Sequence, residues 1–171
     1  MVGTVQQEPD LIPIGRSLGR AHKFLHALGD REMAPLGASV TDYILLFQID
    51  NAPEPGLSQT EVARFSNMGG PALVRHLDRM ERDGLVQRAR DAADRRIMRV
   101  TLCPAGQARL VQLQAVITAT DKKVRALLTS EEADVLQAAL DKVFEFALNE
   151  LYASTPPSAP PTTRPASRSS R

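Results

Sequence analysis

Arginine side chains are concentrated near the middle of the chain, in a short segment that also carries acids. The arginines of residues 84–102 are Arg88, Arg90, Arg95, Arg96 and Arg99. A guanidinium group is always charged and matches the geometry of phosphate oxygens. Asp94 stands two positions before Arg96, where its carboxylate can orient that guanidinium by a charge-assisted hydrogen bond. This composition predicts a charged loop that is presented to solvent.

The elements that must position this loop are two short strands of alternating character. The same-face residues are Val86, Arg88 and Arg90 on the first strand, and Met98, Val100 and Leu102 on the second. Alternation at period 2 predicts a β-hairpin with the arginine-bearing turn at its tip.

Two short helices are predicted immediately before the hairpin. Ser58 and Glu61 have the spacing of a capping box, which predicts a helix over about 59–66. After a glycine turn, Pro71 occupies the first turn of a second helix that ends at Gly84. The buried stripe of this helix is predicted to be Leu73, Leu77 and Met80. The resulting order of helix, turn, helix and wing is typical of a DNA-binding domain.

Longer helices flank this region. Apolar residues recur at helical spacing over 11–33 and again from Pro104 to about Leu128. A second capping box, Thr129 to Glu132, predicts the start of a last helix with the same kind of apolar spacing. A buried helix is expected over about 39–49. The flanking helices have more apolar surface than one small domain covers, which favours a homodimer formed through the two ends of the chain.

These elements define the predicted organisation of the chain. The fold class is mainly α with a small β-hairpin, a winged helix-turn-helix flanked by N- and C-terminal dimerisation helices. A flexible N-terminus (1–10) precedes a winged-helix domain (11–153) with its DNA-binding core at about 39–102 and dimerisation helices at about 11–33 and 104–152. Residues 154–171 are rich in Pro, Ser and Arg and are expected to be disordered.

Composition narrows the function classes. The 171 residues carry a net charge of +1, yet residues 57–102 hold nine basic and six acidic side chains between acidic flanks. Cys103 is the only cysteine, so a disulfide within the chain and a zinc cluster are excluded. We expect no cofactor, no enzymatic activity, no membrane span and a cytoplasmic location. His22 and His26 have a spacing compatible with a metal, but a third ligand is missing nearby and a polar helix face explains them better.

Four segments follow one another in a recognisable order: Leu57 to Ala63, Pro71 to Val86, which closes in Met80-Glu81-Arg82-Asp83-Gly84-Leu85-Val86, Asp94-Arg95-Arg96, and Leu102-Cys103-Pro104-Ala105-Gly106. Together they resemble the multiple-antibiotic-resistance regulators, the MarR family, and its SlyA-like branch. The resemblance implies a homodimeric DNA-binding transcriptional regulator, often a repressor, that acts on inverted-repeat operators. It also implies release by small phenolic or aromatic effectors. Candidate walls for such a ligand include Tyr43 and Phe47.

The resemblance implies that the segment Pro71 to Arg79 enters the major groove of double-stranded DNA and that Arg96 reaches the minor groove. Pro71 and Ala72 replace the hydroxyl and lysine donors common in the family, so base contacts are expected from Arg75 and His76. A bidentate arginine–guanine contact at Arg75 would contribute about 1 to 3 kcal/mol of discrimination. The full set of predicted DNA-binding residues is Pro71, Ala72, Arg75, His76, Arg79, Arg88, Asp94, Arg95 and Arg96.

Alternatives stay open for these residues. Arg75 could be a solvated side chain or an ion pair with Asp78, and Asp94 with Arg96 could form a salt bridge that only stabilises the turn. Arg88 and Arg95 could contact phosphate or simply aid solubility. The alternative function is a winged-helix module that binds a protein partner without specific DNA binding, which would need an exposed apolar patch on the recognition helix or wing.

Overall fold

The computed structural model of the chain describes residues 13–152. They form α-helices and a small antiparallel sheet, which confirms the predicted fold class. The chain divides into two compact units, one ending at Val40 and the other beginning at Thr41. The predictions of a flexible N-terminus over 1–10, a helix start at Leu11 and a disordered tail over 154–171 lie outside the described residues.

The first unit contains one long helix, α1 (Ile14–Met33), followed by the 3-10 turn Ala34–Leu36. Gly37 closes this turn with a φ of 64°, a conformation that glycine adopts without steric cost. The apolar stripe predicted on the helix is largely open to solvent, since Ile14 is 75% exposed and Leu25 is 44% exposed. Helix α1 therefore presents apolar surface that the single chain leaves uncovered.

The second unit contains the remaining elements. Its helices are α2 (Val40–Asp50), α3 (Gln59–Phe65), α4 (Gly70–Arg82), α5 (Pro104–Arg125) and α6 (Ser130–Tyr152), and its strands are β1 (Leu57–Ser58), β2 (Val86–Arg90) and β3 (Met98–Leu102). The core lies around the helix-turn-helix, where Leu46, Val62, Leu77 and Val100 are completely buried. Burying one large aliphatic side chain stabilises the folded state by about 1.5 to 3 kcal/mol. This cluster therefore holds α2, α3, α4 and the sheet together.

Both predicted capping boxes are present. The Ser58 hydroxyl accepts a hydrogen bond from the backbone N–H of Glu61, and the Glu61 carboxylate accepts one from the N–H of Ser58 at 2.7 Å. Thr129 and Glu132 make the same reciprocal pair before α6, with a distance of 2.8 Å from the Thr129 N–H to the Glu132 carboxylate. Side chains therefore satisfy backbone donors at the starts of α3 and α6.

The sheet contains one strand more than predicted. The hairpin of β2 and β3 is confirmed, and its register pairs Val86 with Leu102 and Arg88 with Val100. Strand β1 joins the other edge of β3 through the pair Leu57 and Val100, giving the order β1-β3-β2. A two-residue strand is too short for period-2 alternation to be visible in a sequence, so only the capping role of Ser58 was predicted.

Helix α6 has no buried residue, and α5 buries only residues near its start, Gly106, Leu110 and Leu113. Large apolar side chains are exposed along α6, among them Leu136 (44%), Leu140 (37%) and Val143 (41%). No helix within residues 13–152 combines the length and apolar character of a membrane span.

Gly106 marks the tightest approach between α5 and the hairpin. A Cβ atom at this position would lie 2.0 Å from the backbone oxygen of Leu85, the same oxygen that accepts a hydrogen bond from the Cys103 N–H at 3.0 Å. Because the obstacle is backbone rather than a flexible side chain, α5 or the start of the hairpin would have to move.

We therefore predict that Gly106→Ala lowers the free energy of unfolding by about 1 to 3 kcal/mol, the usual range for overpacking. Gly19→Ala is the matched control, because Gly19 lies inside helix α1 and a Cβ there meets nothing within 4 Å. The control should leave stability unchanged or raise it by up to about 1 kcal/mol. Urea unfolding followed by circular dichroism measures both, and equal midpoints for the two variants would contradict the prediction.

Candidate nucleic-acid interface

Helix α4 has one buried face and one exposed face. Leu73, Leu77 and Met80 are buried against the core, as predicted from their spacing. Pro71 and Arg75 lie on the exposed side, and Ala72 is half-buried beside them. Arg75 forms no hydrogen bond or ion pair with another residue of the described range. The guanidinium that was predicted to contact a base is therefore available at the surface of the helix.

The other two predicted contacts of this helix, His76 and Arg79, lie against α2. A terminal guanidinium nitrogen of Arg79 donates a hydrogen bond to the Asp42 carboxylate, and His76 Nδ1 lies 3.5 Å from the same oxygen. The Asp42 side chain is only 7% exposed. This shared carboxylate links α2 to α4 over a sequence separation of 37 residues, which no local pattern indicates.

The wing turn is organised by Asp91. Its carboxylate accepts hydrogen bonds from the backbone N–H groups of Ala93 at 2.8 Å and Asp94 at 3.0 Å, and from Arg99 Nε at 2.7 Å. The Arg99 hydrogen bond is the largest cause that lowers the pKa of Asp91, to about 2, and the two backbone N–H groups lower it further. The carboxylate therefore stays ionised and holds the turn closed at any ordinary pH.

Arg96 occupies the tip of the wing. Its side chain is 95% exposed, and its Nε lies 3.6 Å from the Asp94 carboxylate. The same carboxylate accepts a hydrogen bond from the Arg96 backbone N–H at 3.0 Å. Arg95, also exposed, fixes the base of the tip through its carbonyl, which accepts a hydrogen bond from Arg90 at 2.6 Å. Asp94 thus lies where it can orient both the backbone and the side chain of Arg96.

Arg88, another of the predicted DNA contacts, lies against two acids of α4. Its guanidinium is 2.6 Å from Asp78 and 2.6 Å from Glu81, both on α4, and the side chain is 17% exposed. Hydrogen bonding to Arg88 lowers the pKa of Glu81, and the same pairing raises the pKa of Arg88. Two carboxylates compensate its charge and tie β2 to α4, and the contact of Arg88 with DNA stays a prediction.

The signal for this role was present in the strand pattern. The register places Arg88 opposite Val100 and on the same face as Val86. Val86 and Val100 are 2% and 0% exposed, so this is the face that packs inward. An arginine on an inward face needs carboxylate partners, and the acids of the preceding helix supply them.

The aromatic residues Tyr43 and Phe47 lie together on α2, with ring centroids 5.7 Å apart. The Tyr43 hydroxyl donates a hydrogen bond to the Gln114 side chain of α5 at 2.8 Å. Partial burial raises the pKa of Tyr43, and the hydrogen bond to Gln114 acts in the opposite sense. The phenol is therefore neutral at ordinary pH and bridges α2 to α5.

Metal-ligating side chains are not clustered anywhere in residues 13–152. His26 is instead paired with Asp30 at 3.2 Å, and its ring makes an edge contact with His22. Cys103 precedes α5 without a side-chain hydrogen bond to the helix start.

The predicted family resemblance is confirmed by comparison with known proteins. Residues 36–97 match the sequence model of the MarR family. A mutant of MarR from E. coli in complex with operator DNA is 26% identical, with a TM-score of 0.68 over 77% of this chain and 94% of that chain.

Two further solved structures are similar over comparable lengths. CouR, a transcriptional repressor bound to a 23-mer DNA duplex, is 27% identical, with a TM-score of 0.69 over 76% of this chain and 91% of that one. A Mycobacterium tuberculosis MarR family protein in complex with salicylic acid is 28% identical, with a TM-score of 0.65 over 78% of this chain and 98% of that one.

The lowered pKa of Asp91 predicts a pH-dependent effect of Asp91→Asn. Asparagine keeps an oxygen for the backbone N–H groups but loses the charge that binds Arg99. Because folding lowers the pKa from 3.8 to about 2, the stabilisation is complete well above 3.8 and disappears as the pH falls towards 2.

The measured quantity is the difference between the urea midpoints of wild type and Asp91→Asn at several pH values. The difference should be constant between about pH 7 and pH 5 and shrink below about pH 4. Asp134→Asn, on exposed α6, should leave the midpoint nearly unchanged throughout. A wild-type advantage over Asp91→Asn that persists undiminished near pH 3 would show that the charge does not act as described.

Proposed function

We propose that the chain is a repressor, because residues 36–97 match the sequence model of the MarR family and the described residues are similar in structure to MarR from E. coli. It binds an inverted-repeat operator as a homodimer and is released by a small aromatic ligand. The observation that carries this proposal is that two exposed arginines, Arg75 on α4 and Arg96 at the wing tip, belong to the same compact unit.

The two arginines suit the two grooves of DNA. In a helix-turn-helix the second helix lies in the major groove, where a guanidinium binds the O6 and N7 atoms of guanine. A wing arginine held by Asp94 can enter a narrow minor groove, where phosphates of both strands concentrate negative potential. Pro71 and Ala72 lie in the first turn of α4, where the positive end of the helix dipole favours a phosphate.

His76, Arg79 and Arg88 hold in place the elements that carry these contacts. His76 and Arg79 hold α4 against Asp42, and Arg88 ties the wing to the acids of α4. Arg95 lies beside Arg96 and supplies a charge for the adjacent phosphates. The structural relatives bound to operator DNA and to a DNA duplex support this assignment.

A homodimer would cover the apolar surface left open by the terminal helices. Leu136, Leu140 and Val143 recur at steps of four and three residues and form one stripe on α6. A second copy offers the same stripe, and a two-fold interface pairs like surfaces. Two copies would also present two recognition helices, which an inverted repeat requires.

The effector site that we propose includes Tyr43 and Phe47. A planar aromatic acid can stack on the two rings and replace Gln114 as the acceptor of the hydrogen bond from the Tyr43 hydroxyl. The salicylic acid complex of the M. tuberculosis family protein supports this choice of ligand class.

The proposal predicts different effects for the two arginines. Arg75→Ala should reduce binding to the selected operator by about 5- to 150-fold, equivalent to 1 to 3 kcal/mol, and relax its sequence preference. Arg96→Ala should weaken binding to all sequences more evenly. Genomic fragments selected with the wild-type protein supply the operator, and titration of labelled duplexes measures both variants.

Arg82→Ala is the matched control, since it removes the same charge from the exposed last turn of α4. It should retain operator binding within about twofold, as expected for loss of an exposed charge at the far end of the helix. Wild-type binding by both Arg75→Ala and Arg96→Ala would refute the site assignment. If no sequence is selected at all, the chain is instead a protein-interaction module.

The effector site predicts that Tyr43→Phe still binds DNA but needs a higher salicylate concentration for release. Loss of one hydrogen bond contributes about 0.5 to 1.5 kcal/mol, which corresponds to a roughly 2- to 10-fold increase. Cyclohexanecarboxylate, which keeps the acid but lacks the aromatic ring, is the control ligand and should release DNA poorly. If the same salicylate concentration released DNA from the wild type and from Tyr43→Phe, Tyr43 would not be part of the effector site.

A further inference from the structure

The start of helix α4 carries no hydrogen-bonding side chain. Residues 70–74 read Gly-Pro-Ala-Leu-Val, and the first polar side chain of the helix is Arg75. Pro71 is exposed and Val74 is 43% exposed, so this apolar character reaches the surface. In a docked helix-turn-helix the N-terminal residues of the second helix contact the base edges. The proposed binding of DNA therefore brings an apolar surface to the bases.

The backbone at this end of α4 adds few free donors. Pro71 has no N–H group, and the N–H groups of Ala72 and Leu73 both donate to the Gly69 carbonyl, at 3.0 and 3.1 Å. Hydrogen bonding to base edges therefore falls to Arg75 and the residues after it. The exposed residues before Arg75 offer methyl and methylene groups instead.

Val74 is not part of the core of the domain. The buried stripe of α4 consists of Leu73, Leu77 and Met80. All other exposed large apolar side chains of residues 13–152 lie within 14–25 or 111–151, in or between the flanking helices. The homodimer that we propose through those helices does not account for an exposed valine on α4.

The surface around Val74 suits close approach of DNA. Residues three and four positions apart are neighbours on a helix, so Pro71 and Asp78 adjoin Val74. An unpaired carboxylate at Asp78 would repel DNA, but it lies 2.6 Å from the Arg88 guanidinium, which compensates its charge. Arg75, next in sequence, is exposed beside this apolar surface.

We propose that Val74 is a specificity-determining residue, which contacts the C5-methyl group of a thymine in each half-site, with Pro71 extending the contact surface. The thymine methyl is the apolar group that unmodified base pairs present in the major groove. Valine has one strongly preferred χ1 rotamer in a helix, so its two methyl groups form a rigid contact surface. This inference rests on the proposed binding of DNA.

The position of the thymine follows from the spacing along α4. Val74 and Arg75 are consecutive residues of the same helix. Because base pairs stack about 3.4 Å apart and consecutive helical residues rise about 1.5 Å, the thymine should lie within about three base pairs of the guanine that Arg75 binds. An operator without a thymine in this range would refute the inference.

The test removes the methyl group from the DNA and the methyl groups from the protein, separately and together. Each thymine of the selected operator is replaced in turn by deoxyuridine, symmetrically in both half-sites, and titration measures binding of the wild type and Val74→Ala. Deoxyuridine lacks only the C5-methyl group, which lies in the major groove, so a minor-groove contact of Arg96 is unaffected. Val74→Ala should fold normally, because the position is exposed and alanine favours helices.

One thymine position in each half-site should be sensitive in the wild type. Burial of one methyl group corresponds to about a fourfold change in affinity, so deoxyuridine in both half-sites should weaken wild-type binding about 10- to 20-fold. Val74→Ala should bind the unmodified operator about 10- to 20-fold more weakly and lose less than about twofold more with deoxyuridine. Val74→Ile is the matched control, since it keeps a branched apolar side chain and should retain the sensitivity to deoxyuridine.

The possible failures are distinguishable. If deoxyuridine has no effect at any thymine near the guanine, or has equal effects on the wild type and Val74→Ala, the role of Val74 is refuted and the proposed function stands. If the wild-type protein selects no DNA sequence, the proposed function fails and this inference fails with it.

Discussion

The position of the wing relative to the recognition helix depends on Arg88. It lies on the inward face of β2 and binds Asp78 and Glu81, one turn apart on α4. Both carboxylates are open to water, at 49% and 39% exposure, so the restraint comes from one guanidinium that bonds two acids of the same helix. Asp42 restrains the same helix from its other side through Arg79. Helix α4 is therefore held between two charged contacts.

The arginines of this unit divide by the face on which they lie. Arg79, Arg88 and Arg99 each have a carboxylate partner and are at most 37% exposed. Arg75 and Arg96 lie outward, and Arg96 is 95% exposed. Net charge is a poor guide to such a surface, because several acids are paired with Arg88 and Arg99 while Arg75 and Arg96 face outward. The surplus of three basic side chains over residues 57–102 thus corresponds to a more strongly basic exterior.

The sequence was sufficient for features that depend on local chemistry. The capping box at Ser58, the left-handed Gly84 with a φ of 68° and the alternation of β2 and β3 were all predicted correctly. Contacts between distant residues were not predicted, among them Asp42 with Arg79 and Tyr152 with Arg64. Such partners follow from helix packing, which determines which of many exposed acids or carbonyls lies near a given side chain.

For the candidate site, the same distinction separates Arg75 and Arg96 from Arg88. The side of α4 that Arg75 occupies follows from the stripe of Leu73, Leu77 and Met80, and the prominence of Arg96 follows from the hairpin turn. Arg88 shares the parity of Val86, so its inward direction was also contained in the pattern. Alternation along a strand shows which residues share a face, but whether that face is buried depends on the helix that packs against it.

Helix α6 connects these local restraints to the proposed homodimer. An exposed stripe of Leu136, Leu140 and Val143 gains burial only from another chain. In the proposed dimer, the separation of the two recognition helices is then set by how α5 and α6 meet their counterparts. The Tyr43 bond to Gln114 joins α2 to α5, and the Arg79 bond to Asp42 joins α2 to α4. A ligand that displaces the first bond therefore acts on the element that also carries the second, which gives an aromatic acid a physical route to the DNA-contacting surface.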